Sequence, residues 1–149
     1  MIKTFTEQVY AKTCNNFNTA LADGSFPSSG SYIDVSDFER FVFLVRAGTL
    51  DSALTIKVQQ AAAINGTPQD ITGATTTIAT SGDTGDNSLH MIEVETRKLD
   101  LNNGYKFATL TVSGAAGSND YIDAIFLGIN PHQVPVAKDA NVVTVVVAG

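Results

Sequence analysis

The sequence predicts an all-β fold, an antiparallel β-sandwich or jelly-roll-like barrel with an N-terminal arm and a C-terminal strand. Three observations carry this. Apolar residues alternate with polar ones over short runs, as in "ALTIKVQQ", where Leu54, Ile56 and Val58 share one face and Thr55, Lys57 and Gln59 the other. Clusters of Gly, Asn, Asp and Ser punctuate these runs at short intervals. Nowhere do apolar positions recur at i, i+3, i+4, i+7 for long enough to argue a helix. Eight or nine short strands with no room for crossover helices add up to two packed sheets.

Taken in order, residues 1–31 read as an N-terminal arm or added strand that ends in "LADGSFPSSGS", a segment dense in Gly, Pro and Ser. The core is expected over 32–137. "SDFE" at Ser36–Glu39 matches a capping box, but one turn at most fits before "RFVFLVRAG". That run is apolar at both parities, with Phe41, Phe43 and Val45 against Val42 and Leu44, the pattern of a central strand covered on both sides. After the "ALTIKVQQ" strand, Asn65-Gly66 predicts a hairpin turn because both residues tolerate positive φ. Pro68 suits the start of an edge strand, where a missing N–H costs nothing.

"HMIEVETRKLDL" alternates again, "NNG" turns the chain, and "YKFATLTVSG" places Ala108, Leu110 and Val112 on one face. "YIDAIFLGI" is apolar at both parities and reads as a second central strand. Residues 138–149 form the C-terminal strand or arm. Its five valines include both parities, Val143, Val145 and Val147 against Val142 and Val146, and no charge lies between Asn141 and Gly149. A strand that wants cover on both faces is expected at a subunit boundary, by strand addition or inside an oligomer, in preference to the alternative of an ordinary closing strand of the same sandwich.

The composition narrows function. At 149 residues the chain suits one domain, which at that size buries about 68–70% of its unfolded surface. Charged residues make up 16% against a usual share of about 25%, so the surface is rich in small polar residues, as a rigid structural module requires. A net charge of −6 with nine scattered Lys and Arg argues against a nucleic-acid partner. No window approaches the ~18 apolar residues of a membrane span, and the N-terminus lacks a signal peptide, so no membrane partner and synthesis in a cytoplasm are expected. Cys14 is alone, which rules out an intrachain disulfide and leaves a buried, inert thiol.

The search for chemistry returns no catalytic, cofactor-binding or metal residues. No nucleophile elbow, phosphate loop or H-E-x-x-H pair is present. His90 and His132 are the only imidazoles and lie far apart in sequence. "GDTGDN" offers Asp83, Asp86 and Asn87 as oxygen ligands but lacks the spacing and glutamate of a calcium loop, so a solvated turn is expected. "SGAAGSND" has no following lysine or helix to hold a phosphate. Glu93 and Glu95 share a strand face some 6–7 Å apart, a glycosidase-like spacing. Without any tryptophan to stack sugars, a hydrated acidic face beside Arg97 and Lys98 is the better reading.

The succession "YIDVSDFERFVFLVRAG", "LTIKVQQ", a polar turn into "QDITGA", and "YKFATLTVSGAAGSNDYIDAIFLGINPHQVPV" resembles small virion proteins of tailed bacteriophages, the group of head-decoration and minor structural proteins. The resemblance covers about residues 32–137. It implies a non-enzymatic capsid decoration (cementing) protein on the outer capsid surface, assembled in the bacterial host cytoplasm. Its implied partner is the major capsid protein, bound across capsomer boundaries, with self-association as a homo-oligomer, a trimer by preference. Assembly contacts are expected from Phe5, Val9 and Tyr10 in the arm and Val142, Val143, Val145, Val146 and Val147 in the tail. Two other readings are a tail, neck or head-fibre component and a carbohydrate- or host-surface-binding β-sandwich module.

Overall fold

A computed structural model describes residues 4–15, 17–80, 85–115, 119–133 and 139–141. A four-residue helix α1 (Phe5–Gln8) leads into nine strands: β1 (Val9–Thr13), β2 (Gly24–Phe26), β3 (Ile33–Asp34), β4 (Phe38–Ala47), β5 (Leu54–Ala61), β6 (Gln69–Ile78), β7 (Leu89–Glu95), β8 (Phe107–Ser113) and β9 (Ile122–Pro131). Two single 3₁₀ turns, Thr96–Lys98 and Leu101–Asn103, join β7 to β8. The strands form two antiparallel sheets, ordered β1-β9-β4-β7 in sheet A and β2-β8-β5-β6 in sheet B, with β3 also pairing β8. The chain is an all-β sandwich.

The apolar alternation decides which side of each strand faces the other sheet. Phe41, Phe43 and Val45 of β4, Phe126 of β9 and Ile92 and Val94 of β7 point inward and meet Leu54, Ile56 and Val58 of β5 and Leu110 and Val112 of β8. Phe126 is the hub: its ring lies 5.7 Å from Phe41 and 5.4 Å from Phe43 by centroid. Aromatic pairs at these separations add to the burial that holds the sheets together. Both runs read as central strands do occupy the two central places of sheet A.

The N-terminal segment is a strand of this chain's own sandwich. β1 lies on the outer edge of sheet A, paired with β9 from Val9 opposite Ile129 to Thr13 opposite Ile125. The Asn15 side chain locks its exit, donating to the Ile122 carbonyl at 2.8 Å and accepting from the Ala124 N–H at 2.7 Å.

The hairpin between β5 and β6 departs from its expected form. Its loop spans 62–68, neither Asn65 nor Gly66 adopts positive φ, and the turn closes through the Gly66 N–H to the Ala63 carbonyl at 2.9 Å. A hydrogen bond three residues back winds this loop in a right-handed sense, which needs no positive φ. The positive φ appears instead at Gly73 of β6, where the β5–β6 register shifts between Lys57 and Gln59. Such a bulge interrupts an edge strand that would otherwise present a continuous row of free backbone groups.

Candidate functional site

The two sheets differ in what they turn outward. Sheet B shows Thr55, Lys57 and Gln59 of β5, Thr75 and Thr77 of β6 and Thr111 of β8, a hydrated polar surface. Sheet A turns out Val9 and Ala11 of β1, Ile125, Leu127 and Ile129 of β9, Val42 and Leu44 of β4, and Leu89 and Met91 of β7. This apolar surface arises because the two central strands are apolar at both parities, and only one parity can reach the core. Among the described residues the two sheets are the only layers, and Leu89 and Met91 stand 61% and 68% exposed. Toward the centre of the face exposure falls: Leu44, Ile125, Leu127 and Ile129 are half-buried, and Val42 is 7% exposed. In soluble proteins generally, large contiguous exposed apolar patches are uncommon and often functional.

Charges lie at both ends of the face and, on β7, beside Val42. At one end Arg40 of β4 reaches Glu93 of β7 at 2.8 Å. At the other, Arg46 of β4 stands opposite Asp123 of β9 in register, and among the described residues neither has an ion-pair partner. Glu95 is held by Arg97, which lowers its pKa through that hydrogen bond and charge. Glu93 and Glu95 are therefore each matched to a guanidinium.

A cleft of about 740 Å³ opens where the β1 edge faces β3, lined among others by Tyr10, Tyr32, Ile33, Phe38 and Ile64. Asp139 sits at β1 here: its carboxylate accepts from Lys12 Nζ at 3.0 Å and the Tyr10 hydroxyl at 3.4 Å. Burial works to raise the Asp139 pKa, but the Asn141 N–H and Lys12 outweigh it and leave the carboxyl below its ordinary value. Burial is also the main cause that raises the Tyr10 phenol.

Of the residues expected at an assembly interface, Phe5 stands 69% exposed on α1, and Val9 belongs to the outer face of sheet A. Tyr10 turns the other way and stacks on Phe38 at 5.7 Å, so it serves this chain's own packing. Val142, Val143, Val145, Val146 and Val147 lie outside the described residues. His90 shares a hydrogen bond with the Ser88 hydroxyl at 2.8 Å, and His132 donates its backbone N–H to the Asp37 carbonyl. Asp86 accepts the Leu50 N–H at 3.0 Å, while Asp83 lies outside the described residues. No group of three or more His, Cys, Asp or Glu among the described residues is placed to hold a metal. Cys14 is buried, and burial pushes its thiol up to about 12.

Two features escape a reading of the sequence. Asp120, 0% exposed, accepts the Asp51 and Ser52 N–H groups at 2.7 and 3.0 Å and pins the 48–52 loop. Its only signal is an aspartate just before an apolar strand. The outer face of sheet A shows in the sequence as double parity, which does not separate cover by the same chain from cover by another. Comparison with protein-family models, curated proteins and solved structures returns no match.

Proposed function

We propose that this chain is a structural protein of a tailed-phage virion, a capsid decoration protein that acts by binding and not by chemistry. The observation that carries the reading is the apolar outer face of sheet A, set on a sandwich whose other face is polar. Leaving that face in water is unfavourable by about 25 cal/mol per Å² of apolar area, so it favours any arrangement that covers it. Assembly supplies the cover. The protein sits on the outer capsid surface, binds the major capsid protein across capsomer boundaries and contacts other copies of itself. Phe5 and the valines of the tail extend those contacts to neighbouring subunits.

The test is a particle assembled without the protein. Heads that leak DNA on heating, and recover when purified protein is added back, support decoration. Intact heads that lack tails or fibres would overturn it, as would glycan binding by the isolated chain with no affinity for heads.

A further inference from the structure

The outer face of sheet A is complementary to itself about one particular two-fold axis. In the β4–β9 ladder, Arg46 stands opposite Asp123, Leu44 opposite Ile125, Val42 opposite Leu127 and Arg40 opposite Ile129. A two-fold axis that runs along the strands, between β4 and β9 and in the plane of contact, lays β4 of one copy over β9 of the other at the same level. Each residue then faces its own cross-strand neighbour in the second copy. Val42 meets Leu127, Leu44 meets Ile125, and Arg46 meets Asp123, twice over by symmetry. β7 lies over β1, which seats Met91 above Thr13.

The rival two-fold, perpendicular to the strands, fails on charge. Centred on the same patch, it lays β4 over β4 in reverse and brings Arg46 above Arg40. Like charges brought together at a desolvated contact disfavour that pairing, whereas opposite charges fix register and orientation. Arg46 and Asp123 are also the two charges on this face with no ion-pair partner among the described residues. Sheets that pack face to face do so at about 10 Å with mean strand directions within roughly 30°, a condition both axes meet, so charge decides between them.

We propose that the occupant of this face is a second copy of the chain, in an isologous dimer held by Leu44, Ile125 and Leu127 around the buried Val42 and registered by reciprocal Arg46–Asp123 pairs. The dimer rests on the reading of this face as an assembly surface, and it replaces the trimer that the virion resemblance implies. Four strands at a spacing of about 4.8 Å and six steps of about 3.4 Å make a patch of roughly 19 by 20 Å. Counted flat over both copies this is about 800 Å², below the ~1,200–2,000 Å² of a standard stable interface. The pairing is therefore expected to be reversible and dependent on concentration.

Sedimentation velocity of the full chain from about 1 to 500 µM tests it. The expected result is a shift from monomer to dimer mass. Arg46→Asp and Asp123→Arg, each shown by circular dichroism to be folded, should each weaken self-association at least tenfold. Mixing the two variants should restore it. In the mixed dimer the two substituted positions face each other in one pair and the two unaltered positions in the other, so each pair again joins an acid to a base. A monomer at every concentration, a trimer mass, or variants that pair as well as the parent would each overturn the proposal. So would stronger self-association on removing residues 142–149, since the chain's own tail would then be the cover. Binding to heads is read separately: dimers that do not bind heads would sink the virion reading alone, and head binding by a strict monomer would sink the dimer alone.

Discussion

Removing the Asp120 carboxylate should be among the costliest single changes to this protein. Both loop N–H groups, from Asp51 and Ser52, donate to the same oxygen, Oδ1. Hydrogen bonds to a charged acceptor contribute about 1.5–3 kcal/mol each. Asp51 is itself exposed, so part of the lost bonding in Asp120→Ala is regained from water, and the net cost should be near 3 kcal/mol. Asp120→Asn keeps a carbonyl oxygen in the Oδ1 position, so the two N–H bonds persist as weaker neutral ones, at a cost of about 1 kcal/mol. With a urea slope of about 2 kcal/mol per molar, the alanine variant should unfold about 1.5 M earlier than the parent and the asparagine variant about 0.5 M earlier. Equal midpoints for the two variants, or a shift below 0.5 M for alanine (about 1 kcal/mol), would refute the reasoning.

Phe126→Ala should destabilise the fold by about 3–5 kcal/mol in chemical unfolding, because the ring contacts Phe38, Phe41, Phe43 and Tyr10 at the centre of the sandwich. Gly128→Ala should cost about 1–3 kcal/mol, since a Cβ there would stand 2.6 Å from the Phe38 ring, and shaving that ring in Phe38→Leu should relieve part of the loss. Cys14, with its thiol near 12, should react with a disulfide reagent at pH 8 about three orders of magnitude more slowly than a free cysteine, and reach the ordinary rate in urea. The carboxyl of Asp139 is held below its ordinary value, so its contribution is complete above the unfolded pKa of about 3.9 and is lost as pH falls through the folded value. An NMR titration should show the Lys12 and Tyr10 signals moving with that carboxyl in acid, and not moving in Asp139→Asn.

The fold was legible where burial and alternation agree. Leu54, Ile56 and Val58 alternate with polar residues and all three face the core, and the β4 and β9 runs took the central places that their apolar density demanded. Reading failed where two physical causes give the same pattern. Apolar residues at both parities mean cover on both faces, but the sequence does not say whether that cover comes from the same chain. In sheet A no further layer covers the second face among the described residues. Asn65-Gly66 marked a turn correctly, yet local propensity could not decide its length, because the β5–β6 register and the bulge at Gly73 set it. Asp120 escaped notice because its role depends on a loop 69 residues away in sequence, which no local pattern encodes. The face pairing of Arg46 with Asp123 likewise exists only once β4 and β9 are in register.

Met91 offers the most direct probe of the claim that the outer face of sheet A is an assembly surface. Brief hydroxyl-radical labelling should oxidise its thioether readily in dilute protein, as 68% exposure requires. In concentrated or head-bound protein it should be protected several-fold, while Lys57 on the polar face of sheet B labels equally in both. Met91 equally reactive in the free and assembled protein would contradict the account.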